Sequence, residues 1–196
     1  MTDGPLLWYL NRGTGVVVLV LLTLTTVLGI ASIGGRPARG IPRFVTQSLH
    51  RNAALLAVVL LAGHVASAVV DTYVDIRWWQ AFWPFGATYQ PLWLGLGAVA
   101  LDLMLVIVVT SMLRTHMSHR GWRLLHLASY PLWVISLAHG IGIGTDLGGA
   151  WWAAAVGCAA AVGAAAAWRL VRLVLDRPWR QPEPDLSDTR PLGVLR

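Results

Sequence analysis

Five runs of apolar residues, near 16–33, 49–70, 92–113, 124–143 and 150–168, dominate the chain and are separated by short polar connections. An α-helix needs about 20 residues to cross a bilayer, and each run is close to that length. The pattern predicts an all-α membrane protein, a bundle of five transmembrane helices spanning residues 1–175. Residues 176–196, rich in proline and charge, are expected to form a disordered cytoplasmic tail.

Composition agrees with this reading. Only 12% of the 196 residues are charged, about half the share usual in a soluble domain. All 15 basic residues are arginine, a bias of the kind GC-rich bacterial genomes produce. The arginines sit beside the apolar runs and form no basic stripe with interleaved aromatics, so the high pI is no argument for nucleic acid. The N-terminus lacks a basic n-region and its apolar run is too long for a typical signal peptide, which predicts a retained first helix. A single cysteine, Cys158 in the fifth run, allows neither an internal disulfide nor covalent haem attachment through C-x-x-C-H. Its expected role is that of a small packing residue.

Arginine distribution predicts orientation, because short cytoplasmic loops are enriched in basic residues. The first connection carries Arg36, Arg39, Arg43 and Arg51, the third Arg114, Arg120 and Arg123, and the segment after the fifth run Arg169, Arg172, Arg177 and Arg180. The second has Arg77 opposed by Asp71 and Asp75, and the fourth has only Asp146. The N-terminus is therefore expected outside and the C-terminus inside, in a bacterial cytoplasmic membrane, with Arg12 the one dissenter. Trp78, Trp79, Phe82, Trp83 and Phe85 in the second connection predict a short helix resting in the outer interface.

Ionisable residues within membrane segments are functional candidates by default. Two histidines bracket the second run, "HRNAALLAVVLLAGH" (His50 and His64), and two bracket the fourth, "HLASYPLWVISLAH" (His126 and His139). Both runs cross in the same direction, so His50 and His126 lie at the inner depth and His64 and His139 roughly 20 Å further out. Two facing pairs of neutral imidazoles suit two flat cofactors, each an iron porphyrin taking one axial ligand from each side. On the second run, 14 residues leave His64 about 40° off the face of His50. On the fourth, 13 residues leave His139 about 140° off the face of His126, so Pro131 between them is expected to kink or rewind that helix. Gly63, Gly140 and Gly142 beside the histidines lower steric bulk for a macrocycle. The plainer alternative is that the histidines are interhelical hydrogen-bonding residues and the glycines ordinary packing positions.

These two histidine phrases, with "YQPLWLGLGAVALDL" and "SLAHGIGIGTD", resemble the ferric reductase-like transmembrane domain, especially its stand-alone actinobacterial members, over roughly residues 5–175. The family also includes the membrane parts of ferric reductases and NADPH oxidases. The resemblance implies a transmembrane b-type cytochrome with two haem b groups that passes electrons across the membrane. His50 and His126 would ligate the inner haem iron, and His64 and His139 the outer one. The 13-residue spacing on the second histidine helix is also the family's pattern. Fused relatives carry a flavin- and nicotinamide-binding region, whereas about 20 residues follow the last run here, and "GIGIGTDLGG" lacks the context of a dinucleotide fingerprint. No flavin or nicotinamide is therefore expected on this chain. The electron donor and acceptor are expected to be separate proteins or a quinone.

Arginine suits haem propionates. Arg51 and Arg123 are the inner candidates, and Arg12 or Arg77 the outer. Asp102, near the middle of the third run, is read either as a proton-handling or potential-tuning group or as a protonated carboxyl hydrogen-bonded to a neighbouring helix. His116 and His119 have a spacing able to hold a metal if helical, but a solvated loop is the plainer reading. Two rival functions stay open: a quinol-fed haem subunit of a larger complex, and a haem-free transporter or structural subunit using the histidines and Asp102.

Overall fold

A computed structural model describes residues 5–32, 42–71, 76–144 and 149–175. The tail expected at 176–196 lies outside the described residues. Among the described residues there are six α-helices: α1 (Pro5–Ser32), α2 (Arg43–Val70), α3 (Pro91–Met112), α4 (His119–His126), α5 (Ser129–Ile143) and α6 (Ala150–Leu175). Helices α4 and α5 together make one span, so five segments among the described residues are long and apolar enough to cross a membrane.

The helices outrun the apolar stretches that mark them. Helix α1 begins 11 residues before its apolar run, through Asn11, Arg12 and Thr14. Those polar side chains are accommodated: Thr14 Oγ1 donates back to the Leu10 carbonyl at 2.7 Å, and Asn11 Nδ2 donates across to the His64 carbonyl at 2.8 Å. Helix α2 starts at Arg43 directly after Pro42, a residue that cannot extend a helix towards its N-terminus by donating a hydrogen bond. Helix α6 carries on past Arg169 and Arg172. Hydropathy reports the part of a helix that sits in hydrocarbon, not where its hydrogen bonds stop.

Packing is organised in antiparallel pairs. Helix α1 lies along α2, with Gly15 against His64 at one end and Gly29 near His50 at the other. Helix α3 lies along α5, and α6 covers α1. Helix α2 does not pack closely on α3, α4 or α5, which leaves an interior cleft between the two histidine-bearing spans. The buried core draws on Leu19 and Leu22 of α1, Ala57 of α2, Met104 of α3, Leu132 and Trp133 of α5, and Cys158 of α6. Outward faces are apolar: Leu55, Val59, Val109, Val134 and Leu170 are all exposed, as a lipid-facing belt requires.

The second connection is mostly irregular. The short helix expected there is present as a single 3₁₀ turn, Trp78–Ala81, and irregular turns follow it. Buried Gln80 organises it, accepting from the Arg77 N–H at 2.9 Å and donating to the Gly86 carbonyl at 2.8 Å. Gly95 lets the Pro84 carbonyl press onto α3, where a Cβ would collide. Trp78, Phe82, Trp83 and Phe85 stay exposed.

The break between α4 and α5 falls where Pro131 predicts it. Pro131 has no N–H for the Leu127 carbonyl, which accepts instead from Tyr130 N–H at 3.1 Å. Ala128 N–H likewise bonds three residues back, to the Leu125 carbonyl at 3.0 Å, before Leu132 returns to the α pattern by donating to Ala128. Such tightened residues turn by about 120° instead of about 100°, so each recovers about 20° of the helix-phase offset between His126 and His139.

Candidate functional site

The four histidines in the spans meet as two pairs. His50 of α2 and His126, the last residue of α4, have ring centroids 6.2 Å apart with planes at 61°. His64 of α2 and His139 of α5 line one cavity of about 310 Å³. Gly15, Leu19 and Gly97 also line it, and Arg12, Gln80 and Trp151 stand towards the aromatic end of the bundle. Among the described residues no three His, Cys, Asp or Glu side chains converge, so the arrangement is one of opposed imidazoles, not of a chelating cluster.

Backbone carbonyls orient three of the four rings. His50 Nδ1 donates to the Thr25 carbonyl at 3.0 Å, His64 Nδ1 to the Asn11 carbonyl at 2.9 Å, and His139 Nδ1 to the Trp93 carbonyl at 2.7 Å. A carbonyl only accepts, so each bond fixes the Nδ1–H tautomer and leaves Nε2 as a free lone pair. This is the outer-shell arrangement that metal-ligating histidines use. Asn11 ties the support together: its carbonyl holds His64, and its amide donates to the His64 carbonyl and to Ser67 Oγ at 3.2 Å. His126 differs, because its buried Nδ1 has no hydrogen-bond partner and its ring stacks on Trp122 at 5.0 Å.

Glycines make the space, although not those that sequence proximity points to. A Cβ at Gly97 would stand 2.7 Å from the His139 ring and one at Gly15 3.0 Å from the His64 ring. Gly29 approaches His50 less closely, at 3.9 Å. Of the three glycines expected to make room for a macrocycle, Gly63 faces open space on the exposed side of α2 and Gly142 makes room for the Trp93 indole. Only Gly140 lines the cavity. The signal for the others is present in the sequence: Gly15 and Gly29 are 14 residues apart, as are His50 and His64, which matches on an antiparallel pair.

Between the two histidine levels lies Trp133, seven residues after His126 and six before His139. Its buried Nε1 donates to Thr23 Oγ1 at 2.9 Å, and Thr23 in turn donates to the Leu19 carbonyl.

The remaining candidates are placed as follows. Arg51 and Arg123 are exposed, on the same helices as His50 and His126. Arg12 lines the His64–His139 cavity with its guanidinium 4.5 Å over the Trp8 ring, whereas Arg77 is exposed and does not line it. Asp102 is half-buried and off the cavity, sharing a face of α3 with exposed Leu105, Val106 and Val109. The hydrogen bond to a neighbouring helix expected for it is not formed among the described residues. His116 and His119 are exposed and separated by extended Met117, so the helical i, i+3 geometry a metal needs is absent.

A family model for the ferric reductase like transmembrane component matches residues 14–137. The chain belongs to this family. As a ferric reductase-like component it is a multi-pass membrane protein of transmembrane electron transfer. The match takes in His50, His64 and His126 and ends two residues before His139. No curated protein and no solved structure matches the chain.

Proposed function

We propose that the chain is a b-type cytochrome that holds two haems, one between His50 and His126 and one between His64 and His139, and passes electrons across a bacterial cytoplasmic membrane. The observation that carries this reading is the opposed pairing of the histidines with three Nδ1–H groups bound to carbonyls of neighbouring segments. The spacing fits. Two imidazoles bound to one metal at about 2 Å, each ring centre about 1 Å behind its nitrogen, stand about 6 Å apart, and the His50 and His126 centroids are 6.2 Å apart.

Haem b supplies a one-electron iron couple when bound. The residues of this chain do the rest. Asn11, Thr25 and Trp93 carbonyls hold the tautomers of His64, His50 and His139, so that Nε2 of each already carries the free lone pair. Apolar side chains of α1, α3 and α5 exclude water, and Trp133 with Thr23 fills the level between the pairs. Arg12 is the propionate partner for the His64–His139 group, and Arg51 and Arg123 serve the other. Donor and acceptor are separate proteins or a quinone. Arginine distribution supports an N-terminus outside and a C-terminus inside.

The test is haem content and the reduced-minus-oxidised spectrum of the purified full chain beside its single alanine variants. The expected result is two b haems per chain, with one lost in each of His50→Ala, His64→Ala, His126→Ala and His139→Ala, and none in His116→Ala. A folded, colourless protein after haem supply would overturn the reading and leave the histidines to a haem-free role.

A further inference from the structure

The two histidine pairs are not built alike. At the His64–His139 pair both rings donate Nδ1–H to backbone carbonyls, at 2.9 Å and 2.7 Å. At the other pair only His50 does so, at 3.0 Å. His126 is held instead by stacking: its ring lies on the Trp122 indole at 5.0 Å with planes 22° apart. Trp122 is itself covered by the Arg114 guanidinium at 4.6 Å. Among the described residues, the buried side-chain polar atoms without a hydrogen-bond partner are Trp122 Nε1 and His126 Nδ1, and both stand at this one pair.

The difference has a chemical consequence. An Nδ1–H bonded to a carbonyl fixes the ring's orientation and raises the basicity of Nε2, and loss of such outer-shell partners weakens metal affinity by about 10- to 100-fold. Stacking on an indole holds the ring plane but adds no electron density to Nε2 and does not fix the tautomer. His126 also occupies the end of α4, beside the tightened turn at Leu127–Tyr130, whereas His50, His64 and His139 sit within continuous helices.

Resting on the two-haem reading, we propose that His126 is the exchangeable axial ligand and that its coordination position is a binding site for small neutral diatomic molecules, while the His64–His139 centre stays closed. The exchange breaks the bond from iron to His126 Nε2 and forms one to the incoming ligand atom. The iron keeps its oxidation state, the imidazole stays neutral and no proton is transferred.

Carbon monoxide, added to the haem-loaded, dithionite-reduced full chain and followed by absorption, tests this. Haem is quantified first, so that a chain without haem is recognised before any gas is added; that result overturns the two-haem reading and this proposal with it. With two haems present, the expected uptake is one carbon monoxide per chain. Trp122→Leu removes the stack and should raise the apparent carbon monoxide affinity about two- to tenfold. His126→Ala, which loses that haem, should take up none, and His139→Ala, left with the His50–His126 haem alone, should still take up one. Uptake of none or of two by the unaltered chain would overturn the proposal. So would uptake of one by His126→Ala, which would put the reactive centre at His64–His139.

Discussion

A neutral imidazole buried in hydrocarbon carries one donor and one acceptor, and leaving either without a partner is costly. In this bundle three rings bind their donor to a carbonyl, which leaves three lone pairs directed elsewhere. That residue-scale fact makes steric access to the rings decisive. Gly97→Ala, whose Cβ would stand 2.7 Å from the His139 ring, is expected to displace that ring and abolish the His64–His139 haem; haem per chain should fall from two to one. Gly29→Ala, at 3.9 Å from His50, and Gly63→Ala, in open space, should leave both haems. Equal loss in all three variants would refute the assignment of room to Gly97. Asp102→Asn, off the cavity, should change neither haem content nor spectrum; a shifted spectrum would restore it as a tuning residue. The histidines themselves are legible in the sequence because ionisable groups stand out in apolar runs. Their supports are not, since Thr25, Asn11 and Trp93 act through backbone carbonyls, which no side-chain pattern marks. Arg51 and Arg123 follow from proximity to the histidines, but proximity along a helix does not tell which side of it a side chain takes.

At the scale of elements, one broken helix sets the geometry. Without the tightened turn before Pro131, His139 would lie about 140° from the face of His126 and the second pair would not form. Pro131→Ala restores an N–H for the Leu127 carbonyl, and the expected outcome is a straighter span and a weakened His64–His139 centre, read as faster loss of one of two haems to excess apomyoglobin. Unchanged kinetics would mean that packing alone holds the turn. The Trp133–Thr23 hydrogen bond joins α5 to α1 across the middle of the bundle. Interhelical bonds in membranes contribute about 0.6 kcal/mol on average and up to about 1.7 kcal/mol, so Trp133→Phe should lower unfolding stability in detergent by that amount and keep both haems. The five spans and the break at Pro131 are legible in hydropathy and in one residue's missing donor. The early start of α1 is not, because Asn11, Arg12 and Thr14 read as a loop until their partners on α2 and within α1 are known. The short helix of the second connection is legible in its aromatics, but the turns that Gln80 and Gly95 close after it are not.

For the whole molecule, polarity along the bundle axis governs how it sits in a membrane. Among the described residues most arginines stand at one end and most tryptophans at the other, with an apolar belt between. The positive-inside rule then puts the arginine end in the cytoplasm. Cys158 is buried, so single exposed cysteines report orientation cleanly: in intact cells Thr88→Cys should react with an impermeant maleimide and Thr115→Cys should not. The reverse pattern would invert the proposed topology. The central claim, electron passage from one face to the other through two haems, is tested most directly in sealed vesicles. The haem-loaded chain is placed in vesicles that enclose ferricyanide, an ionophore dissipates the charge, and dithionite is added outside. The account predicts bleaching of the enclosed ferricyanide, lost when either pair is broken by His64→Ala or His126→Ala. Haems that are reduced while the enclosed ferricyanide stays oxidised would contradict it.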